Sequence, residues 1–483
     1  MEGQAPKLPS VVVVGAGISG LSTAWNLTNG GEDPDRSVDV TVLEAGDRAG
    51  GVIATARRGG FICELGPDSM ITEKPWGLDL CDAIGVGGNI IGTGEQHRRS
   101  FIARGQRIYP VPEGFNLLAP TRFLPFVTTS LFSPAGKLRM AADLILPRRR
   151  EPGDESLADF VRRRLGQQAL ERIAQPMVGG IYTADPEKLS LLATMPRFRE
   201  MEARSRSVIL AMLRSRRAME RRSPSLDAGP RYGMFATLRG GLQELPQTIE
   251  QSLPRGCVHY KQRVRSVTHR GDHWIVRTDS GELRADGLCL ALPAPAAAAV
   301  LRAVSPELST ELGSIEYAST ATLNLMYRRE DIHHALDGFG FVVPAIERRS
   351  ILACTFSSVK FPGRAPAGNV LLRAFVGGAL FPEKFALDDA SLLESVRADL
   401  DKLLDIRHPP REAIISRHAD AMAQYHVGHL DRISRIDSLV TDLPGLALAG
   451  NAYGGIGIPD CIHSGETAAR SIIAQLLADA PPS

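Results

Sequence analysis

Val11-Val12-Val13-Val14-Gly15-Ala16-Gly17-Ile18-Ser19-Gly20 is the stretch on which the reading of this chain turns. Four valines in a row predict a buried strand, the G-x-G-x-x-G glycines predict a tight turn, and the residues to about Leu27 predict a helix. A second apolar run, Val38 to Leu43, ends at Glu44, 24 positions after Gly20. Strand, glycine turn, helix and strand in this order make a βαβ unit of the kind that binds a dinucleotide. Gly15 permits the turn, Gly17 lets the backbone approach a pyrophosphate at the helix N-terminus, and Gly20 allows close helix packing. Ala16, Ile18 and Ser19 complete the turn and count with it among the cofactor-binding residues, and the Glu44 carboxylate can accept ribose hydroxyls.

NAD- and FAD-binding units share that fingerprint, and the residues that follow separate them. Glu44-Ala45-Gly46-Asp47-Arg48-Ala49-Gly50-Gly51 reads E-x-x-x-R-x-G-G, which puts a cation and two bare backbones where a second pyrophosphate face and an isoalloxazine would lie. With this segment the sequence resembles the glutathione-reductase-like flavoproteins of the amine oxidase type. The resemblance implies FAD, held without a covalent bond, and extends the binding set to Ala45, Arg48, Gly50, Gly51 and Val52. It adds the flavin strand Gly66-Pro67-Asp68-Ser69 and places Val264 where such proteins present backbone to the adenine. It also reads Ala285 to Pro293 as a further return to the sheet. The C-terminal run Leu446 to Asn451, with Gly454 to Ile458, resembles the segment that comes back to the flavin, contributing Gly450, Asn451, Ile456, Gly457 and Ile458.

Several further segments are similar to the protoporphyrinogen oxidase family: Gly180 to Ser190, Leu238 to Leu242, Gly338 to Pro344, Phe375 to Gly378 and Gln424 to His429. That resemblance implies an oxygen-dependent enzyme that removes six hydrogens from protoporphyrinogen IX in three flavin cycles, giving protoporphyrin IX and hydrogen peroxide in haem synthesis. In the family an aromatic and an aliphatic residue sandwich a pyrrole; these correspond to Phe339 and Val342, with Phe375 and Gly180 lining the same cavity. No protein base is required, because flavin N5 takes hydride and the protein positions a bulky ring and excludes water. Eukaryotic members often carry Arg where this chain has Asp68, so the substrate's carboxylates must meet another cation, with Arg98 or Arg99 as candidates. Coproporphyrinogen III oxidation by the same family, and amine or carotenoid oxidation, are the alternatives. An amine oxidase would be expected to place a lysine near N5, and only Lys261 and Lys360 come into question.

The rest of the sequence bounds this reading. At 483 residues, with 43% hydrophobic and 23% charged, the chain has an ordinary globular composition. A net charge of +2 lacks the field of a nucleic-acid binder. The six cysteines form no CxxC pair, so neither a disulfide framework nor a metal site is indicated, and His426 with His429 lacks a third ligand. The fold class expected is α/β: a glutathione-reductase-like Rossmann FAD-binding domain (1–75, 237–300 and 443–483), a mixed-sheet substrate-binding domain (76–91 and 301–442), and a helical membrane-associating domain (92–236). Two basic stretches, 137–150 at net +4 and 197–222 at net +6, surround apolar residues and read as peripheral docking onto anionic lipid. The expected partners are therefore a porphyrinogen, molecular oxygen and the cytoplasmic face of the cell membrane, with a homodimer left open.

Overall fold

The computed structural model describes residues 8–29, 38–112, 115–116, 119–120, 122–222 and 233–478. The opening valines form strand β1 (Ser10–Val14), the turn leads into helix α1 (Ile18–Asn29), and the chain returns as β2 (Asp39–Leu43). β1 is the centre of a five-stranded, wholly parallel sheet, flanked by β2 and Val258–His259 on one side and by Gly287–Leu290 and Leu446–Leu448 on the other. Strands buried on both faces need apolar residues at successive positions, which is why Val11 to Val14 are all buried rather than alternating. On one face α1 packs against the C-terminal helix Ile458–Ala478. The two approach closely enough that a Cβ at Gly465 would lie 2.3 Å from the Ser19 carbonyl oxygen.

A seven-stranded sheet makes the second layer. Its order is Glu412–Ala423, Tyr317–Arg328, Asn369–Gly377, Ala353–Phe356, Gly340–Val342, Phe101–Arg104 and Arg107–Pro110. Alternation along these strands separates its two faces. Ala321, Leu323, Leu325, Leu372, Ala374 and Val376 share one core with Leu392, Val396, Leu400 and Leu403 of the helix Asp389–Leu404. Thr322, Asn324, Arg373 and Phe375 therefore point the other way, toward the flavin strand.

Two segments sit elsewhere than their expected domains. Residues 76–91, expected with the substrate domain, bury Leu80, Cys81, Val86 and Ile90 in the core beside β1 and α1. Residues 101–110, expected in the helical lobe, add a hairpin to the edge of the seven-stranded sheet, where Phe101 pairs with Phe341 and Ile102 with Val342. Phe101 and Ile102 are buried on opposite faces, so this segment is covered on both sides, as an exposed edge would not be.

The helical lobe is held by a buried ion network. Arg164, without solvent exposure, donates to Asp143 Oδ1 at 2.6 Å and to the Arg206 carbonyl at 2.8 Å, while Glu202 accepts from Arg163 and Arg199. Removing one member of such a network strands a charge in the interior, at a cost of about 3–5 kcal/mol. Among the apolar residues of the 197–222 stretch, Val208, Ile209 and Met212 are buried in this lobe, and Leu210 and Leu213 are half-buried. Exposed apolar side chains occur instead at Leu124, Val127, Leu138, Leu144 and Ile145. No helix among the described residues is long and apolar enough to cross a membrane.

Candidate functional site

The glycine turn shows which positions the backbone requires. Gly15 has φ +100, and a Cβ there would lie 2.5 Å from the Ala291 carbonyl oxygen; at Gly20 it would lie 1.9 Å from the Gly15 carbonyl. A Cβ at Gly17 would meet nothing within 4 Å. The turn is thus closed on its protein side and open above Gly17, at the N-terminus of α1, where first-turn amides and the helix dipole suit a pyrophosphate. Glu44 anchors the neighbouring loop, its carboxylate accepting from the Ala16 amide at 2.8 Å and the Gly46 amide at 2.7 Å. Gln262 and Lys261 donate their amides to the carbonyls of Glu44 and Gly46, which brings the start of the strand Val264–Arg270 to this end of the site.

The Arg48 loop lies against the glycine turn. The Gly50 amide donates to the Ala16 carbonyl at 2.8 Å, and a Cβ at Gly51 would stand 3.4 Å from Gly17 Cα. Arg48 ties the loop to itself through the carbonyls of Ala49, Gly51 and Ile53, leaving Ala45, Gly51 and Val52 exposed. Gly66 then passes so close that a Cβ on it would fall 1.8 Å from the Val52 carbonyl oxygen. The cradle runs without a break from Gly17 through Gly51 and Val52 to Gly66. Its shape, open glycine and anion-seeking helix end match a flavin dinucleotide.

The flavin strand is held from the substrate sheet. Thr322 Oγ1 donates to the Leu65 carbonyl at 2.9 Å, Asn324 Nδ2 to the Glu64 carbonyl at 2.9 Å and Arg373 to the Gly66 carbonyl, while His418 Nε2 meets the Leu65 carbonyl at 2.8 Å. Asp68 does not face open space: Lys360 Nζ lies 3.0 Å and Arg373 Nη1 4.0 Å from its Oδ2, and Ser69 Oγ sits 3.2 Å from the same ammonium. Burial pushes the Asp68 carboxyl up, but Lys360 and Arg373 outweigh it and hold it down to about 2. Glu64 pairs with Arg364 at 3.3 Å, and there burial wins, raising its carboxyl above the ordinary range. The lysine in question for an amine oxidase is thus engaged by a carboxylate.

The C-terminal return is buttressed as well. The Gly450 amide donates to Ser464 Oγ at 3.1 Å, Asn451 Nδ2 to the Ala421 carbonyl at 3.0 Å, and Tyr425 Oη to the Asn451 carbonyl at 2.7 Å. His429 is a buried imidazole that stacks on Tyr425 with centroids 4.0 Å apart. Its burial, reinforced by Arg432, pushes its pKa down to about 4. No group of three or more metal-ligating side chains occurs among the described residues. Ile456 and Gly457 precede Ile458, where the C-terminal helix begins. Cys461 in its first turns is buried, and burial pushes its thiol up to about 12.

Three of the four residues expected to meet the substrate converge. Val342, Ala353, Phe375 and Thr322 stand in one row across four strands and so share a face. Gly180 lies opposite, where a Cβ would sit 3.7 Å from Val342 Cγ1. Its helix, Gln175–Tyr182, follows a π-turn at Leu170–Ala174; Pro176 lacks an N–H, which explains the widened ladder. Phe339 stands just before the strand Gly340–Val342, its amide donating to the Arg99 carbonyl at 2.8 Å. Arg99 is itself paired with Asp337, so it lies beside Phe339 with its charge already engaged.

Lys360, Arg364 and Arg373 were not among the site residues read from the sequence. A signal was available in Asn369–Gly377, where Arg373 is the lone charge in an apolar strand.

The family model for flavin containing amine oxidoreductase matches residues 18–473. The chain is 34% identical over 470 residues to a coproporphyrinogen III oxidase of Bacillus subtilis (strain 168), covering 96% of this chain and 98% of that protein. It is 30% identical to a chloroplastic protoporphyrinogen oxidase of Nicotiana tabacum, covering 95% of this chain and 85% of that protein. A crystal structure from Exiguobacterium sp. 255-15, provisionally named a protoporphyrinogen oxidase, superposes with a TM-score of 0.85 at 32% identity, covering 98% and 100% of the two chains. The chain is a flavin-dependent oxidoreductase of the flavin-containing amine oxidoreductase family, with FAD as its cofactor.

Proposed function

We propose that this chain is an oxygen-dependent porphyrinogen oxidase of haem synthesis, holding FAD non-covalently and favouring coproporphyrinogen III over protoporphyrinogen IX. The observation that carries the reading is the sheet face on which Val342 and Phe375 share a row with Thr322, the residue that grips the flavin strand. A puckered porphyrinogen ring laid on that face has its edge directed at the cofactor cradle. Bound FAD supplies an electrophilic N5 that accepts hydride from the ring and then passes the electrons to oxygen as hydrogen peroxide. The chain's own part is positioning: Val342, Phe375 and Phe339 offer apolar surface, and Gly180 leaves room opposite Val342. None of these four carries a proton, so the ring's N–H proton leaves to solvent.

Coproporphyrinogen is favoured by the similarity to proteins of that name, at 34% identity over nearly their whole length. Supplying each porphyrinogen to the purified protein and following porphyrin fluorescence and peroxide tests both levels. Faster coproporphyrin formation supports the preference, faster protoporphyrin formation reverses it, and turnover of amines alone would end the porphyrinogen reading.

The division into FAD-binding, substrate-binding and helical domains is retained in this proposal, with residues 76–91 moved to the first and 101–110 to the second. Peripheral association with the cytoplasmic face of the cell membrane is proposed through Leu124, Val127, Leu138, Leu144 and Ile145, exposed near Lys137 and Arg139. Cosedimentation with anionic vesicles that survives Leu138→Asp combined with Ile145→Asp would refute that surface.

A further inference from the structure

We propose that the buried cluster of Glu64, Asp68, Lys360, Arg364 and Arg373 sets the reduction potential of the bound FAD, its surplus of positive charge favouring acceptance of hydride. The inference rests on the placement of FAD along the cradle described above.

The cluster contains three cations and two carboxylates. The side chains of Glu64, Arg364 and Arg373 are 4%, 2% and 3% exposed, and those of Lys360 and Asp68 are 13% and 16% exposed. Burying charge is costly unless it is matched, and here one cation is left over. An arginine does not give up its proton to relieve the imbalance. Burial raises the Glu64 carboxyl, and any proton it takes adds to the surplus rather than cancelling it. Arg373 Nε, though buried, has no hydrogen-bond partner, so its guanidinium is not fully spent on the protein.

Contact with the cradle is direct. Arg373 donates to the Gly66 carbonyl, Gly66 abuts the Val52 carbonyl, and the Gly51 backbone rests on Gly17. On its other side the Arg373 guanidinium stands 4.8 Å from the centroid of the Phe375 ring, on the proposed substrate face. The surplus charge therefore lies between cofactor and substrate. Hydride transfer breaks one C–H bond of the substrate and delivers two electrons and one proton to FAD, whose charge becomes more negative by one. In a water-poor site a fixed cation stabilises that added negative charge more than it would in solvent, and needs no reorganisation to do so.

Substitutions of opposite sign test this. Lys360→Met removes the surplus and Asp68→Asn increases it. The holoprotein of each is titrated anaerobically against a reference dye, and the affinity for oxidised FAD is measured alongside. K360M should lower and D68N raise the equilibrium for two-electron reduction by about tenfold each, or ~30 mV in opposite directions. A structural defect would not invert with the sign of the charge. Shifts below threefold in both, or shifts of the same sign, overturn the proposal. Should K360M fail to keep FAD, D68N decides alone: a raised potential supports the proposal, and an unchanged or lowered one overturns it. No substrate enters the titration, so its failure leaves the porphyrinogen reading standing, and an absence of porphyrinogen turnover leaves the titration meaningful.

Discussion

The glycine cradle at 15–20 and the charged seam joining Glu64 and Asp68 to Lys360, Arg364 and Arg373 meet at Gly66, yet they are assembled over different distances. The cradle is built mostly from residues within about one βαβ unit, and its requirements are those of backbone against backbone. The seam joins carboxylates of the first 70 residues to cations some 290 positions later. The cradle's rule can be stated position by position; the seam exists only once two sheets are packed. Loss of a cradle residue should thus act on binding or folding, and loss of a residue beyond it on energetics.

The sharpest way to break that contrast lies within the cradle itself. Gly20→Ala puts a Cβ 1.9 Å from a backbone oxygen that cannot move away, and the protein should lose FAD and fold together. Overpacking of this kind costs about 1–3 kcal/mol or more. Gly17→Ala meets nothing within 4 Å, so melting of the apoprotein should stay close to wild type while FAD affinity falls at least tenfold. Equal destabilisation by both would mean that the turn is not closed on one side only.

A second test concerns the substrate face. Phe339→Ala, provided circular dichroism and FAD content match wild type, should slow anaerobic reduction of the flavin by porphyrinogen about 10- to 100-fold, with reoxidation by oxygen unchanged. An unaltered reduction rate would show that Phe339 does not belong with Val342, Phe375 and Gly180.

A third test is a pH dependence at the C-terminal return. His429 is neutral in the folded protein well below its ordinary pKa of 6.5, because burial and Arg432 depress it to about 4. The unfolded chain binds the proton first, so stability is complete above about pH 6.5, declines as pH falls toward 4 and is level below that. The full decline would be roughly 3 kcal/mol for a side chain that is 2% exposed. Thermal unfolding of His429→Phe, which keeps the stack on Tyr425, should vary less between pH 6.5 and 4 than wild type. An unchanged slope would assign the acid sensitivity to other groups.

From the sequence alone came β1, the turn, α1 and β2, because each rests on local rules: glycine where a Cβ has no room, and β-branched residues in a doubly covered strand. The resemblance supplied Val342, Phe375 and Gly180 as substrate residues. Tertiary structure alone decided that they meet, since strand register aligns residues 342, 353, 375 and 322 and no short motif encodes register. It alone showed Asp68 as the counter-charge of Lys360 and Arg373 rather than as an acid lacking a partner. It also turned Val208, Ile209 and Met212 into the protein interior. An amphipathic pattern states that one face must be covered; whether protein or lipid covers it depends on what the rest of the chain brings to that face.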